Sequence, residues 1–350
     1  MYLSAFNLKT YPFQVAPDSD FLYLSKAHAR AKAYLDYAIW SPDGFVVITG
    51  EIGCGKTILI KKVLSELPTS VTVAKIFQTQ VDEIEFLQLV LADFGIKAYE
   101  AKKVELLDRL NTFLLHQHMQ KRQVVLIVDE AQNLSERVLE EIRLLTGLEV
   151  QNEKIINVVL AGQSELSDKL NSSGLEQLAQ RVQLRFHIKP LSDAETRDYI
   201  EHRLAIAGAN KRGLFPAETI PLIYRYTGGV PRLVNILCDT VMTAAFVENI
   251  LLISNHLVKA AIEELQWPPY AERVGKGSQP NPQPVTGQAT QPWGDNGSGE
   301  GLAHTRELEE KLARLYDFVP KFAGNVTAKM KRIENQLVQL TQSLKDKNKP

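Results

Sequence analysis

The octapeptide Gly50-Glu51-Ile52-Gly53-Cys54-Gly55-Lys56-Thr57 satisfies every fixed position of the pattern G-x-x-x-x-G-K-[ST]. An apolar run at 45–49 precedes it and a helical pattern over 56–67 follows, which is the strand–loop–helix context that a phosphate-binding loop requires. Its glycines let backbone N–H groups turn toward phosphate, and the helix N-terminus adds partial positive charge. The octapeptide therefore predicts an ATP site in which Lys56 reaches the β- and γ-phosphates and Thr57 binds Mg²⁺.

An acidic pair completes the predicted catalytic chemistry. Residues 124–128 form a continuous apolar run, typical of a buried parallel strand, and Asp129 and Glu130 follow it directly. Asp129 fits the Mg²⁺-associated carboxylate of a Walker B motif, and Glu130 is placed to polarise the attacking water. The letters D-E-A-Q at 129–132 also occur in helicases, but we find no second RecA-like domain in the sequence and do not favour that interpretation.

Polar residues near two further predicted strands are candidates for completing the site. The apolar run 155–161 leads into Gly162 and Gln163, and the Gln163 amide is placed either to sense the γ-phosphate or simply to occupy a turn. Arg181 precedes the next predicted strand and is our candidate for an arginine finger. Arg185 competes for that role, and either arginine would alternatively form a surface salt bridge.

Two residues of these motifs have more than one interpretation. Cys54 is either a redox-active thiol at a helix N-terminus or a small residue at a variable loop position, and we favour the second. Gly229 and Pro231 fit a turn that opens a helix, so that Arg232 would project from the helix start toward the phosphates.

The order of predicted elements indicates an α/β fold. Strands alternate with helices up to residue 190, as in a three-layer parallel sheet, and the pattern is wholly helical from Ser192. We therefore predict an N-terminal segment at 1–44, a P-loop ATPase core at 45–190, a helical lid at 191–267, a disordered linker at 268–301 and an amphipathic helix at 302–346.

The last predicted helix carries a heptad pattern. Apolar residues recur every seven positions at Leu312, Val319, Val326, Ile333 and Leu340. Such a repeat favours a coiled-coil-like helix that pairs with itself or docks on a protein partner. The alternative is a helix that packs back on the chain's own ATPase core. The segment before it, 268–301, is rich in Pro, Gly, Gln and Asn and has too few aliphatic residues to form a core.

Composition limits the partners and the compartment. Lys and Arg number 40 against 41 Asp and Glu, so no global basic field attracts the chain to nucleic acid, although a local basic patch is not excluded. The two cysteines, Cys54 and Cys238, are no disulfide framework and favour a reducing compartment. No signal peptide or apolar run of about 20 residues is recognisable. We therefore expect a cytoplasmic protein, or one peripheral to the inner face of the membrane.

The chain resembles the general secretion pathway protein A, or ExeA-type, family of AAA+ ATPases over roughly residues 1–266. Besides the octapeptide, the resemblance rests on Tyr11-Pro12-Phe13, Pro17-Asp18, Phe21-Leu22-Tyr23-Leu24-Ser25 with His28, Val128-Asp129-Glu130-Ala131-Gln132-Asn133-Leu134, Leu160-Ala161-Gly162-Gln163-Ser164-Glu165-Leu166, Gln177 to Val182 and Thr227-Gly228-Gly229-Val230-Pro231-Arg232-Leu233-Val234-Asn235.

This resemblance implies an ASCE-type sheet with a helical lid, ATP-driven assembly into a homo-oligomer, Arg181 acting in trans and Arg232 as a second sensor. It also implies that 12–13 and 21–25 lie near the adenine. Secretion-type members continue into a transmembrane helix and a peptidoglycan-binding domain, whereas this chain has a linker and a heptad helix. It thus looks more like members linked to polysaccharide, pilus or exosortase systems. The leading hypothesis is an ATP-hydrolysing regulator or assembly motor for a cell-surface system, and the alternative is a DNA-associated ATP switch of the transposition-regulator type.

Overall fold

A five-stranded parallel sheet forms the centre of the protein. The computed structural model describes residues 2–16, 18–98, 101–209 and 213–275, which fall within one compact unit. The strands in chain order are β1 (Phe45–Gly50), β2 (Val71–Ile76), β3 (Gln123–Val128), β4 (Glu149–Val150), β5 (Glu153–Lys154), β6 (Asn157–Gly162) and β7 (Leu184–Ile188). The sheet order is β2-β3-β6-β1-β7, and β4 and β5 form a separate antiparallel pair.

Helices connect and cover these strands. In chain order they are α1 (Lys26–Trp40), α2 (Lys56–Ser65), α3 (Glu83–Asp93), α4 (Lys103–Met119), α5 (Glu136–Leu145), α6 (Ser164–Leu170), α7 (Glu176–Arg181), α8 (Asp193–Ile206), α9 (Ile220–Thr227), α10 (Pro231–Val247), α11 (Asn255–Glu264) and α12 (Tyr270–Gly275). None of these described helices is both long and apolar enough to cross a membrane.

The three central strands, β3, β6 and β1, are buried on both faces, which explains why they are almost wholly apolar. In β1, Val46 and Ile48 pack with α1 and α2, while Phe45 and Val47 pack with α3, α4 and α5. Side chains alternate between faces along a strand, so every strand residue must suit one of two cores. The three layers confirm the predicted α/β, P-loop fold class. The coiled-coil-like helix that we predict at 302–346 lies outside the described residues.

The N-terminal segment shares its core with the lid. Aromatic and apolar side chains of residues 2–21 pack against α8 to α11. Phe13 is almost fully buried, with its ring 5.8 Å from that of Phe215 in an edge-to-face contact. Helix α1, which sequence reasoning did not predict, instead belongs to the sheet layers. The predicted segment 1–44 is therefore divided between two cores.

The chain that leaves the lid is ordered beyond the predicted boundary. We predicted a disordered linker from residue 268, but α12 begins at Tyr270. The Arg273 guanidinium stacks 4.7 Å from the Trp267 ring and donates a hydrogen bond to the carbonyl of Tyr226. Aromatic and cationic side chains thus anchor a segment that has few aliphatic residues. Residues 276–301 of the predicted linker lie outside the described part of the chain.

One glycine in the lid turn allows two elements to meet, and its replacement tests that packing. Gly229 has φ +72°, and a Cβ there would overlap the carbonyl oxygen of Leu191. Gly95 has φ +82°, but a Cβ there would meet no atom within 4 Å. Gly95→Ala should therefore cost only the roughly 1–2 kcal/mol of a left-handed non-glycine residue. Gly229→Ala should lower the free energy of unfolding by clearly more, as measured by urea denaturation followed by circular dichroism. Equal losses in the two variants would contradict this packing.

Candidate nucleotide-binding site

The loop between β1 and α2 has the backbone of an anion cradle. Gly53 has φ +84° and Gly55 has φ +95°, conformations that side-chain-bearing residues rarely adopt. Gly55 is the N-cap of α2 and supplies no side-chain cap. The first N–H groups of the helix therefore lack the usual side-chain acceptor, and an anion is their natural partner.

Lys56 places its positive charge inside this loop. Its side chain is buried, and Nζ donates to the carbonyl oxygens of Gly50 at 2.7 Å and Glu51 at 3.0 Å. Burial lowers the pKa of Lys56, while the nearby carboxylates of Glu130 and Asp129 act to raise that pKa. The ammonium group is thus held at the mouth of the loop by acceptors that bear no full charge.

Thr57 and Asp129 present two side-chain oxygen atoms beside the loop, joined by a hydrogen bond. Thr57 Oγ1 donates to Asp129 Oδ2 at 2.6 Å, and Asp129 is buried at the end of β3. Burial raises the pKa of Asp129, and the bonds from Thr57 and from the Glu130 N–H act to lower it. Hydroxyl and carboxylate oxygens fit Mg²⁺, and within the described residues no cluster of three or more His, Cys, Asp or Glu would hold a metal alone. The pair would fit Mg²⁺ if bound phosphate and water supplied the remaining oxygen atoms.

Glu130 occupies a strained backbone conformation. Its φ of +53° lies in the left-handed region, which costs a non-glycine residue on the order of 1–3 kcal/mol. Local bonds hold it there: its N–H donates to Asp129 Oδ1 at 2.9 Å, and its carbonyl accepts from Thr79 Oγ1 at 3.2 Å. The sharp turn after β3 aims the Glu130 carboxylate into the cavity beside the loop.

Two glutamines hold the Glu130 carboxylate. Gln132 Nε2 donates to Glu130 Oε2 at 2.7 Å, and Gln163 Nε2 lies 3.5 Å from the same oxygen. Gln132 Oε1 in turn accepts the backbone N–H of Gln163 at 3.0 Å. Sequence reasoning assigned no role to Gln132, because the D-E-A-Q letters were considered only as a helicase signature and as part of a family motif. The signal was present in its position two residues after Glu130.

The lid touches the loop directly at Arg232. Its backbone N–H donates to the carbonyl of Gly53 at 3.2 Å, and its side chain lines the cavity. A Cβ at Gly53 would lie 2.6 Å from the Cβ of Arg232, so this approach requires glycine. Arg232 is thus brought to the same cavity as Lys56, as its place at the start of α10 predicted.

A buried guanidinium supports the N-terminal wall of the cavity. Arg203 of α8 donates to the carbonyl of Pro12 and, at 3.2 Å, to that of Gln14, and it lies 4.9 Å from the Phe21 ring. Gln14 and the two residues after it line the cavity. The sequence contained no signal for this role of Arg203, since the two backbone carbonyls that it binds are about 190 residues away.

These groups surround one cavity of about 520 Å³, a volume within the range of small-molecule sites. Most of the site residues predicted from sequence lie on its wall: Ile52, Gly53, Gly55–Thr57, Glu130, Gln163 and Arg232. Gly50, Glu51 and Asp129 do not line the cavity but bond to Lys56 or Thr57 on its wall, and Cys54 is buried.

Arg181 and Arg185 are not brought to this cavity. Arg181 ends α7 and donates to the carbonyl of Arg143 and to Thr146 Oγ1. It borders a separate hollow with Asp43 and Ile156, beside the amino ends of β1 and β6, whereas the phosphate-binding loop follows the carboxyl end of β1. Arg185 is exposed and donates to Asn171 Oδ1 at 2.7 Å. Neither arginine therefore contacts the loop of its own chain.

The segment after the lid also reaches the loop. Tyr270 Oη donates to Glu51 Oε2, and its ring lies against Gly228, where a Cβ would overlap it. Glu51, a variable position of the loop pattern, therefore links the loop to the chain that leaves the lid.

Both cysteines are buried, which favours the structural interpretation of Cys54. Burial raises the pKa of the Cys54 thiol to about 12, and it raises that of Cys238 well above its usual value.

We expect neither thiol of the folded protein to react with a disulfide reagent such as DTNB at pH 8, because the thiolate is the reactive form. Both should react at once in guanidinium chloride. Rapid modification of Cys54 in the native protein would contradict its burial.

Comparisons with known proteins agree with this geometry. A model of the AAA domain family matches residues 39–170. General secretion pathway protein A of Aeromonas hydrophila is 38% identical over 247 residues, which are 70% of this chain. The chain spans only 45% of the length of that relative.

Solved structures give the fold. The Aeropyrum pernix ORC2 protein matches with a TM-score of 0.51 over 68% of this chain and 66% of its own. Cdc6p of Pyrobaculum aerophilum matches with a TM-score of 0.55 over 75% of this chain and 70% of its own. Both are 18% identical, which shows a shared architecture alone. Residues 39–170 are therefore an AAA-family P-loop module, and the chain is related to general secretion pathway protein A over 70% of its length.

Proposed function

We propose that the chain hydrolyses Mg-ATP in the cavity between the phosphate-binding loop and the lid. The observation that carries this proposal is the position of Glu130. Its carboxylate is held by Gln132 and Gln163 on the wall that Lys56 and Thr57 also line. A carboxylate held this close to an anion cradle is suited to accept a proton from water rather than to bind phosphate itself.

The other site residues would bind the phosphates, hold the metal ion and sense the γ-phosphate. The N–H groups around Gly53 and Gly55 and the Lys56 ammonium bind the phosphates, while Thr57 and Asp129 hold Mg²⁺. The metal ion supplies charge neutralisation at the β- and γ-phosphates. Gln163 shares the Glu130 carboxylate oxygen, so it is placed to sense whether a γ-phosphate is present. Arg232 brings a second cation from the lid, which makes lid position dependent on the bound phosphates.

A neighbouring subunit completes the site in this proposal. Arg181 lies beside the amino ends of β1 and β6, remote from its own loop, so in this proposal it acts on the nucleotide of another copy of the chain. Its half-buried guanidinium is held by Arg143 and Thr146, which would give it a defined direction. Arg185 is exposed on the edge strand and remains the competing candidate.

The biological role we propose is that of an oligomeric regulator or assembly motor for a cell-surface system. The relative that shares the module is named for the general secretion pathway, and this supports such a role. The heptad pattern at 302–346 would supply a protein-binding helix.

To test this role, we would measure the ATPase rate with and without double-stranded DNA. An ATPase rate per subunit that rises with protein concentration and is unchanged by DNA supports the proposal. Strong stimulation by DNA favours the transposition-regulator type of switch.

Glu130→Gln tests the catalytic assignment. The amide keeps the shape and the bond to Gln132 but cannot accept a proton, so we expect the hydrolysis rate to fall by about 10²–10⁴-fold. Binding of a fluorescent ATP analogue should remain. Lys56→Ala is the matched control and should lose that binding. Hydrolysis by Glu130→Gln at the wild-type rate would contradict the role of Glu130.

A mixing experiment tests the arginine finger separately from folding. Arg181→Ala should lower the ATPase rate strongly, since such a finger is worth about 10³–10⁵-fold, whereas Arg185→Ala should retain most activity. Mixed with Glu130→Gln protein, Arg181→Ala should regain activity, because each variant supplies the residue that the other lacks. No recovery in the mixture, or a larger loss in Arg185→Ala, would exclude Arg181 as the finger.

A further inference from the structure

The imidazole of His28 is buried between helix α1 and the phosphate-binding loop. Only 3% of the residue is exposed. Its Nε2 lies 2.8 Å from the carbonyl oxygen of Cys54, and its Nδ1 lies 2.7 Å from Ser25 Oγ. The ring is also in close contact with Gly55, where a Cβ would be 2.9 Å from Nε2. His28 therefore touches two consecutive loop residues from the side opposite the cavity.

The partners of His28 determine which nitrogen carries the proton. A carbonyl oxygen only accepts hydrogen bonds, so Nε2 must donate to Cys54. Burial lowers the pKa of His28, against opposing effects of the Cys54 carbonyl and Glu195, and the ring is therefore neutral at neutral pH. Nδ1 then accepts the Ser25 hydroxyl proton. Ser25 Oγ also accepts the His28 backbone N–H at 3.3 Å as the N-cap of α1, so the start of the helix locks the ring.

The bond to Cys54 has a geometric consequence for the loop. The structure contains no cis peptide bond among its described residues, and in a trans peptide the C=O and the following N–H point in opposite directions. A Cys54 carbonyl directed at His28 therefore directs the Gly55 N–H away from His28. Gly55 lines the cavity. The N–H consequently faces the space in which phosphate would lie.

We propose that His28 is a positioning residue that orients the Cys54–Gly55 peptide so that its N–H binds the phosphate chain of the nucleotide. This inference rests on the proposed ATP-binding function. His28 donates through Nε2, Ser25 sets the ring, and helix α1 carries both. The glycines alone permit this conformation of the loop, but they also permit others, and His28 selects one.

The test compares His28→Ala with His28→Gln by titration of a fluorescent ATP analogue. The Gln side-chain amide places an N–H close to the position of Nε2, whereas Ala removes the donor. We expect His28→Ala to bind the analogue about tenfold more weakly, as for loss of one hydrogen bond to a charged group, and His28→Gln to recover most of this loss. Ser25→Ala should show an intermediate loss. In steady-state kinetics, His28→Ala should raise KM more than it lowers kcat, the reverse of Glu130→Gln.

Controls separate failure of this inference from failure of the proposed function. Circular dichroism establishes that each variant is folded, and His28→Gln and Ser25→Ala keep the test valid if His28→Ala does not fold. Undiminished binding by Lys56→Ala would overturn the nucleotide site itself. Loss of binding in Lys56→Ala but unchanged affinity in His28→Ala and Ser25→Ala would overturn the role of His28 alone. Equal weakening in His28→Ala and His28→Gln would also overturn it, because the donor at Nε2 would then not matter.

Discussion

Exposed backbone N–H groups at the start of α2 are the constraint on which the site depends. A helix N-terminus without a side-chain cap is satisfied only by water or by an anion, and here the loop glycines keep side chains away from it. The neighbouring elements contact the loop without capping these N–H groups. Arg232 approaches Gly53 through its backbone, and His28 packs against Gly55 from behind. The lid and α1 therefore support the cradle without filling it.

Charged side chains of both signs surround the cradle. Lys56 lies within the loop and Arg232 beyond it, while Asp129 and Glu130 face them from the end of β3. Burial lowers the pKa of Lys56 and raises that of Asp129, while Glu130 and Asp129 oppose the first effect and the Thr57 hydroxyl, the Glu130 N–H and Lys56 oppose the second. The strained backbone of Glu130 has a related explanation. The turn that this conformation makes after β3 leaves the Glu130 carboxylate on the cavity wall, while the Asp129 carboxylate accepts the Thr57 hydroxyl.

The lid is more than a cover for this site. Its core includes residues 2–21, and Arg203 in that core fixes the carbonyls of Pro12 and Gln14 beside the cavity. The chain then returns from the lid to the loop, where Tyr270 reaches Glu51. The site is therefore bordered by residues from both ends of the described chain. A displacement of the lid would therefore affect the N-terminal wall of the cavity, Gly53 and Glu51 together.

The sequence by itself determined the fold class, the loop, the acidic pair and the start of α10, because each depends on local backbone chemistry or on strand periodicity. The N-cap of α5 is equally local, since the Ser135 side chain accepts the Val138 N–H. Only the tertiary structure decided the partners of Gln132, Arg203, His28 and Tyr270. Three of these side chains bond to groups distant in sequence, mostly backbone carbonyls or a carboxylate that no residue pattern marks. The position of the Glu130 carboxylate relative to Gln163 also required the sheet order, since β3 and β6 become neighbours only when the sheet forms.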